Sequence, residues 1–232
     1  MLLSLRHNHR PLPETSDITL HHMRSLRKKL VKDGNYPKQC IAIMTKMLQK
    51  IYDEQLTTAS PGNVWYVRHF SVQHPDKPDR VRVVLDCANK VKGTSLNDLL
   101  MKEPDMMNSL LGVLVNFTGD LFAYTGDINT MLYQVRVPEH QRDYLSFFWW
   151  KNSFEEEPKV WRMAIHQAGA CSSPSIANFA LKQTASDFGN GFWEGARDTV
   201  ANNFYVDCLI AEDREDALLV NVLEVKELCK KG

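Results

Sequence analysis

The sequence predicts an α+β fold, with helices packed behind antiparallel strands. Two observations carry that prediction. Strand-forming runs come in pairs joined by turns, at residues 64–67 with 80–86, 144–150 with 160–166, and within 203–211. Apolar residues elsewhere recur at helical spacing, over residues 17–32, 36–52, 174–184 and 214–229. At 232 residues the chain is long enough for one large domain or two small ones with a real core.

In chain order, residues 1–16 are polar with Pro11 and Pro13, an extended lead-in. Asp17 is placed to cap a helix to residue 32, with Leu20, Met23, Leu26, Leu30 and Val31 as its buried stripe. A second helix follows over residues 36–52, and residues 59–63 carry a loop signal with Pro61 and Gly62. Residues 64–67 and 80–86 read as a hairpin turning at 74–79 with cations near its tip, and residues 92–98 as a loop. Asp105 is placed to cap a helix to Phe117 that turns Met106, Leu110, Val113, Leu114 and Phe117 inward. A strand over 121–127 ends on an acidic residue, and 131–137 continues from a short turn as a further strand. Residues 144–150 are strongly strand-forming and 160–166 are their return strand. Pro174 sits in the first turn of a helix. Helices over 191–201 and 214–229 flank the last strand pair.

The hydrophobic fraction of 44% and charged fraction of 24% are those of an ordinary soluble globular protein. No apolar run approaches the roughly 18–20 residues of a membrane span. The N-terminus turns polar too soon for a signal peptide, and the five cysteines include no closely spaced pair. An intracellular protein with free thiols is expected, cytoplasmic or nuclear and not secreted. The formal net charge is zero, so bulk charge does not point to nucleic acid. Its distribution is uneven: ten Lys and Arg in the first fifty residues face only Glu14, Asp17 and Asp33. A basic end can touch phosphates, and a solvated helix face explains it as well.

The stretch from Asn203 to Leu209 stands out. An apolar run leads to Asp207 and a second apolar run follows at once, as in a strand, a tight turn and a return strand. A carboxylate at a hairpin tip, aimed at a partner carboxylate on a neighbouring strand, is one way to assemble a magnesium site. An ordinary turn Asp reads the same way. His7, His9, His21 and His22 suggest zinc, but no Cys pair accompanies them, and solvated histidines explain them better.

Three blocks stand in fixed order. Residues 127–138 read Asp-Ile-Asn-Thr-Met-Leu-Tyr-Gln-Val-Arg-Val-Pro, residues 168–181 read Ala-Gly-Ala-Cys-Ser-Ser-Pro-Ser-Ile-Ala-Asn-Phe-Ala-Leu, and residues 203–207 read Asn-Phe-Tyr-Val-Asp. With them come Val64, Trp65, Tyr66 and His69, then Lys77, Arg80, Arg82 and Asp86, then Gly93, Ser95 and Asn97, then Phe147, Trp149 and Trp150. This ordered set resembles reverse transcriptases, most closely those of BEL/Pao-type LTR retrotransposons, and it covers nearly all of the chain. The resemblance implies a helical lead-in over 1–58 and a fingers-and-palm body over 59–232. The fingers hairpin would lie at about 64–86, the palm at about 105–232, and the thumb would be absent because the family continues past the position of Gly232.

By the resemblance, the activity is RNA-directed DNA polymerisation, with an RNA or DNA template, a primer and deoxynucleotide triphosphates as partners, and no membrane. Nucleotidyl transfer of this kind uses two Mg2+ (or Mn2+) ions roughly 3.5–4 Å apart. Asp127 and Asp207 would hold them, with the backbone carbonyl of Ile128 as an added ligand. Lys77, Arg80 and Arg82 would meet the triphosphate from the fingers, Arg82 foremost; alternation with Val81 and Val83 makes one-sided solvent exposure an equal explanation. Gly169 would pack under nucleotide and template, or serve only as a turn residue, and Tyr133 and Gln134 would position Asp127 from the strand that follows it.

The chain departs from the family pattern at named places. The paired Asp-Asp is here Asp207-Cys208, which a deletion before Cys208 explains as well as a substitution does. Leu132 replaces an aromatic that rejects the ribose 2′-hydroxyl, and Gln167 and Ala168 replace an aliphatic residue and a Phe. The alternative to an active polymerase is therefore a catalytically dead retroelement relic that keeps at most nucleic-acid binding, or a fragment without function.

Overall fold

The computed structural model describes residues 1–6, 12–32, 36–50, 54–55, 64–74, 77–101, 106–150, 153–205 and 207–232. The expected loop at 59–63 and cap at Asp105 lie outside them. The chain forms two units. One is Met1–Lys102 with Leu132–Ser173, the other Glu103–Met131 with Pro174–Gly232.

The first unit opens with α1 (Ser16–Lys32), which buries Thr19, Met23, Leu26 and Leu30 at spacings of three and four. Asp17 falls inside its first turn, where a carboxylate favours the helix dipole, and is not the cap. Val31 is exposed, because the residue after Leu30 is turned about 100° away from the buried stripe. Helix α2 (Tyr36–Lys50) buries Cys40, Met44 and Met47. Strands β1 (Glu54–Gln55), β2 (Arg68–His74) and β3 (Lys77–Asp86) follow. β2 and β3 form the expected antiparallel hairpin, covered by α1 on β2 and α2 on β3. Residues 64–67 are not its first arm. Tyr66 makes a single parallel bridge to Ser146, and the Val67 N–H donates to the Ser146 carbonyl at 2.7 Å. Within the expected loop, the Ser95 and Asp98 side chains each accept the other's backbone N–H as a capping box, which starts the short helix α3 (Leu96–Leu99).

The unit's remaining strands come later in the chain, beyond α4 (Leu110–Phe117) and β4 (Phe122–Gly126), which belong to the second unit. They are β5 (Ser146–Trp149) and β6 (Lys159–Arg162), in a sheet of order β1-β6-β5. The return strand is shorter than residues 160–166: after Arg162, Ile165 bridges Arg136 instead. The expected strand over 131–137 is a 3-10 turn at Met131–Gln134. Thr130 has φ of 55°, which reverses the chain, and the Met131 N–H closes on the Ile128 carbonyl at 3.1 Å. Tyr133 and Gln134 therefore do not lie on a strand.

The second unit is a two-stranded antiparallel ladder of β4 with β7 (Cys208–Glu212), against which α4, α6 (Glu194–Asn202) and α7 (Glu215–Cys229) pack. Helix α5 (Ser173–Phe188) starts where the chain enters the unit and adds Leu181 and Ala185 to its core of Ala196, Val200, Phe204, Cys208, Ile210, Val225 and Leu228. Ser109 caps α4 by accepting the Gly112 N–H, so the helix starts later than residue 105. Val113 is buried, whereas Leu110 and Leu114, expected inward, are 45% and 40% exposed. Residues 203–205 form no strand. Helix α6 runs to Asn202 and β7 starts at Cys208, which leaves too few residues for a strand arm as well as a turn. Phe204 makes one isolated bridge to Cys208 in its place. Among the described residues no helix is long and apolar enough to cross a membrane.

Candidate functional site

The ladder of the second unit decides where the two aspartates go. Its pairs run from Phe122↔Glu212 to Gly126↔Cys208. Asp127 and Asp207 are each one residue past that last pair, on opposing arms at the same end. Facing Cα atoms of an antiparallel pair sit roughly 4.5–5.5 Å apart, and alternation sends neighbours to opposite faces. Cys208 points into the core at 4% exposure, and Asp207 beside it is exposed, as is Asp127. The ladder end thus offers two carboxylates on its open side.

Turns on both arms hold these positions. Ile128 packs against the second unit's core, which anchors the chain just after Asp127. Its carbonyl accepts from Met131, with one lone pair left over. The left-handed backbone of Thr130, uncommon for a β-branched residue, stores strain three residues from Asp127. On the other arm the Tyr205 N–H donates to the Asp207 carbonyl at 3.2 Å and the Leu209 N–H to the Asn203 carbonyl at 3.0 Å. Cys208 shares its core with Cys229. Burial pushes the Cys208 thiol up to about 12 and the Cys229 thiol up to about 11, so neither is a thiolate at neutral pH. Among the described residues no three His, Cys, Asp or Glu side chains are grouped to hold a metal.

The other candidates lie in the first unit. Arg82 is exposed on β3 opposite Val72, with no ion pair among the described residues. Lys77 and Arg80 are on the same strand, and their side chains lie outside the described residues. Leu132 is half-buried and Gln134 exposed, both in the 3-10 turn. Gly169 has a clear local reason to be glycine: a Cβ there would stand 2.1 Å from the Leu85 carbonyl oxygen on β3. Sequence reasoning missed the residue that holds its loop. The Asn97 amide donates to the Gly169 carbonyl at 3.1 Å and accepts from the Cys171 N–H at 3.0 Å. Asn97 was legible only as a letter of a flanking motif.

This fold is similar to solved reverse-transcriptase structures. The prototype foamy virus protease-reverse transcriptase superposes with a TM-score of 0.59 at 13% identity, over 86% of this chain and 23% of that one. The fold is reverse-transcriptase-like. A CSH mutant of the same foamy virus protein gives 0.59 at 15% identity, over 83% of this chain and 22% of that one. The chain thus spans less than a quarter of the length of either neighbour. No protein-family profile matches the sequence. No curated protein matches it either.

Proposed function

We propose that this chain is the fingers-and-palm part of a retrotransposon reverse transcriptase of the BEL/Pao type. The supporting observation is the placement of Asp127 and Asp207 on facing positions at the end of the β4–β7 ladder, together with the sequence order of the blocks that carry the resemblance. The donor set fits Mg2+ or Mn2+: two carboxylates and the Ile128 carbonyl are all hard oxygens, and Cys208 is turned away. A divalent ion held there would neutralise triphosphate charge and favour ionisation of a primer hydroxyl. The chain's own part is to hold that ion at the ladder end and to orient what binds beside it. Arg82, with Lys77 and Arg80 on its strand, would meet phosphates of nucleotide or template. Leu132, smaller than an aromatic ring, would discriminate weakly against a ribose 2′-hydroxyl.

The test is a Mn2+ titration followed by electron paramagnetic resonance, run beside primer extension on an RNA template. Mn2+ should bind the native chain, and binding should be lost in D127N/D207N. Mn2+ affinity unchanged in the double variant would overturn the reading. The inward Cys208 favours a second reading, in which primer–template is bound but little or no DNA is made. Fluorescence anisotropy of a labelled primer–template would then show binding without extension.

A further inference from the structure

The loop that carries Asp207 is gripped from outside. Asn108, half-buried just ahead of the Ser109 cap of α4, donates through its Nδ2 to two carbonyls. One is Ala201 at the end of α6, at 3.2 Å, and the other is Phe204 in the turn, at 2.8 Å. One side-chain nitrogen thus ties the last turn of α6 to the segment that leads into Asp207. The two protons of a primary amide suit this bridge; Asp, of the same shape, has none to give, and Leu has no polar atom. The backbone bonds of the loop, Tyr205 to Asp207 and Leu209 to Asn203, close it on itself but do not link it to α4.

We propose that Asn108 is a positioning residue, which fixes the Asp207 loop so that its carboxylate faces Asp127. This rests on the metal reading above. Partners that orient a ligand from behind typically change metal affinity about 10–100-fold when removed. A loss of stability also lowers apparent affinity, so a matched control is needed. Asn221 provides it: its Nδ2 donates to Thr199 at 3.2 Å and to Glu212 at 2.8 Å, which ties α7 to α6 and to the far end of β7.

The experiment measures Mn2+ affinity by electron paramagnetic resonance and thermal stability for the native chain, N108A, N108D, N221A and D127N/D207N. Amide hydrogen exchange at Leu209 reports the loop directly. N108A and N108D should each weaken Mn2+ binding about tenfold and speed exchange at Leu209. N221A should lower the melting temperature by at least as much as N108A and leave Mn2+ affinity unchanged. Equal affinity losses in N108A and N221A, or none in N108A, would overturn the positioning role while leaving the metal site standing. A native chain whose Mn2+ binding ignores D127N/D207N would remove the metal reading, and this inference with it.

Discussion

The burial of Cys208 beside the exposed Asp207 is tested most directly by Cys208→Asp. The obvious repair of an Asp-Cys tip is to write Asp-Asp. The ladder argues against it: Cys208 pairs with Gly126 and is 4% exposed, among Phe204, Ile210, Val225 and Leu228. The burial that drives its thiol up to about 12 would act on a carboxylate in the same place. The least costly response is protonation. Keeping a carboxyl neutral at about pH 7, when its free pKa is about 3.9, costs about 4 kcal/mol. Stripping water from the neutral group adds about 1–3 kcal/mol. The sum, about 5 kcal/mol or more, rivals the whole stability of a small domain. The pH dependence follows from the sign of the shift. The folded pKa is raised, so the native state keeps a proton that the unfolded chain releases above about 3.9, and the penalty grows with pH up to the folded pKa. Urea unfolding of the native chain, Cys208→Asp and Cys208→Asn, near pH 4.5 and near pH 7.5, reads it out. Cys208→Asp should lose about 4 kcal/mol more at the higher pH, and Cys208→Asn the same amount at both. A loss under about 1 kcal/mol that ignores pH would place residue 208 in solvent and refute the argument.

Inserting an Asp between Asp207 and Cys208 leaves Cys208 free to stay opposite Gly126, because the added residue falls outside the β4–β7 pairing. It should raise Mn2+ affinity and primer extension above those of Cys208→Asp, and equal values would argue against a deletion. Gly169→Ala drives a Cβ to 2.1 Å from a backbone oxygen, so urea unfolding should show a loss of about 3 kcal/mol or more, and a change within about 0.5 kcal/mol would contradict the packing. His69 is buried against Phe147 and Trp149, neither ring nitrogen has a partner among the described residues, and burial pushes its pKa down to about 3. The unfolded chain takes up a proton below about 6.5 that the native state refuses, so stability should fall by about 3 kcal/mol between about pH 6.5 and pH 4. His69→Phe should flatten that fall, as acid titration followed by Trp fluorescence would show.

The fold class was legible because it is written in local terms. The burial of Met23, Leu26 and Leu30 follows from helical spacing, and the second arm of the hairpin, β3, from the alternation of Arg80 and Arg82 with Val81 and Val83. Strand β4 ending just before Asp127, and α7 beginning after Arg214, needed no long-range information. The candidate aspartates were legible as residue types in ordered blocks. The errors came where something outside the run itself decides, a distant partner or the element next to it. Residues 64–67 are strand-forming by composition, but Ser146 offers them one bridge. Residues 131–137 look extended, but the turn at Thr130 coils the first four of them, Met131–Gln134, into a 3-10 turn. Phe204 and Tyr205 are aromatic and strand-forming by composition, but α6 consumes the chain up to Asn202. Which way Cys208 faces is equally a tertiary matter. A residue's type says what it could bind, and only the β4–β7 register says that this one is turned into the core while its neighbour Asp207 stays in solvent beside Asp127. The physical reason is that a strand has two faces and a one-residue shift exchanges them, so the choice is made by the pairing partner and not by the strand itself.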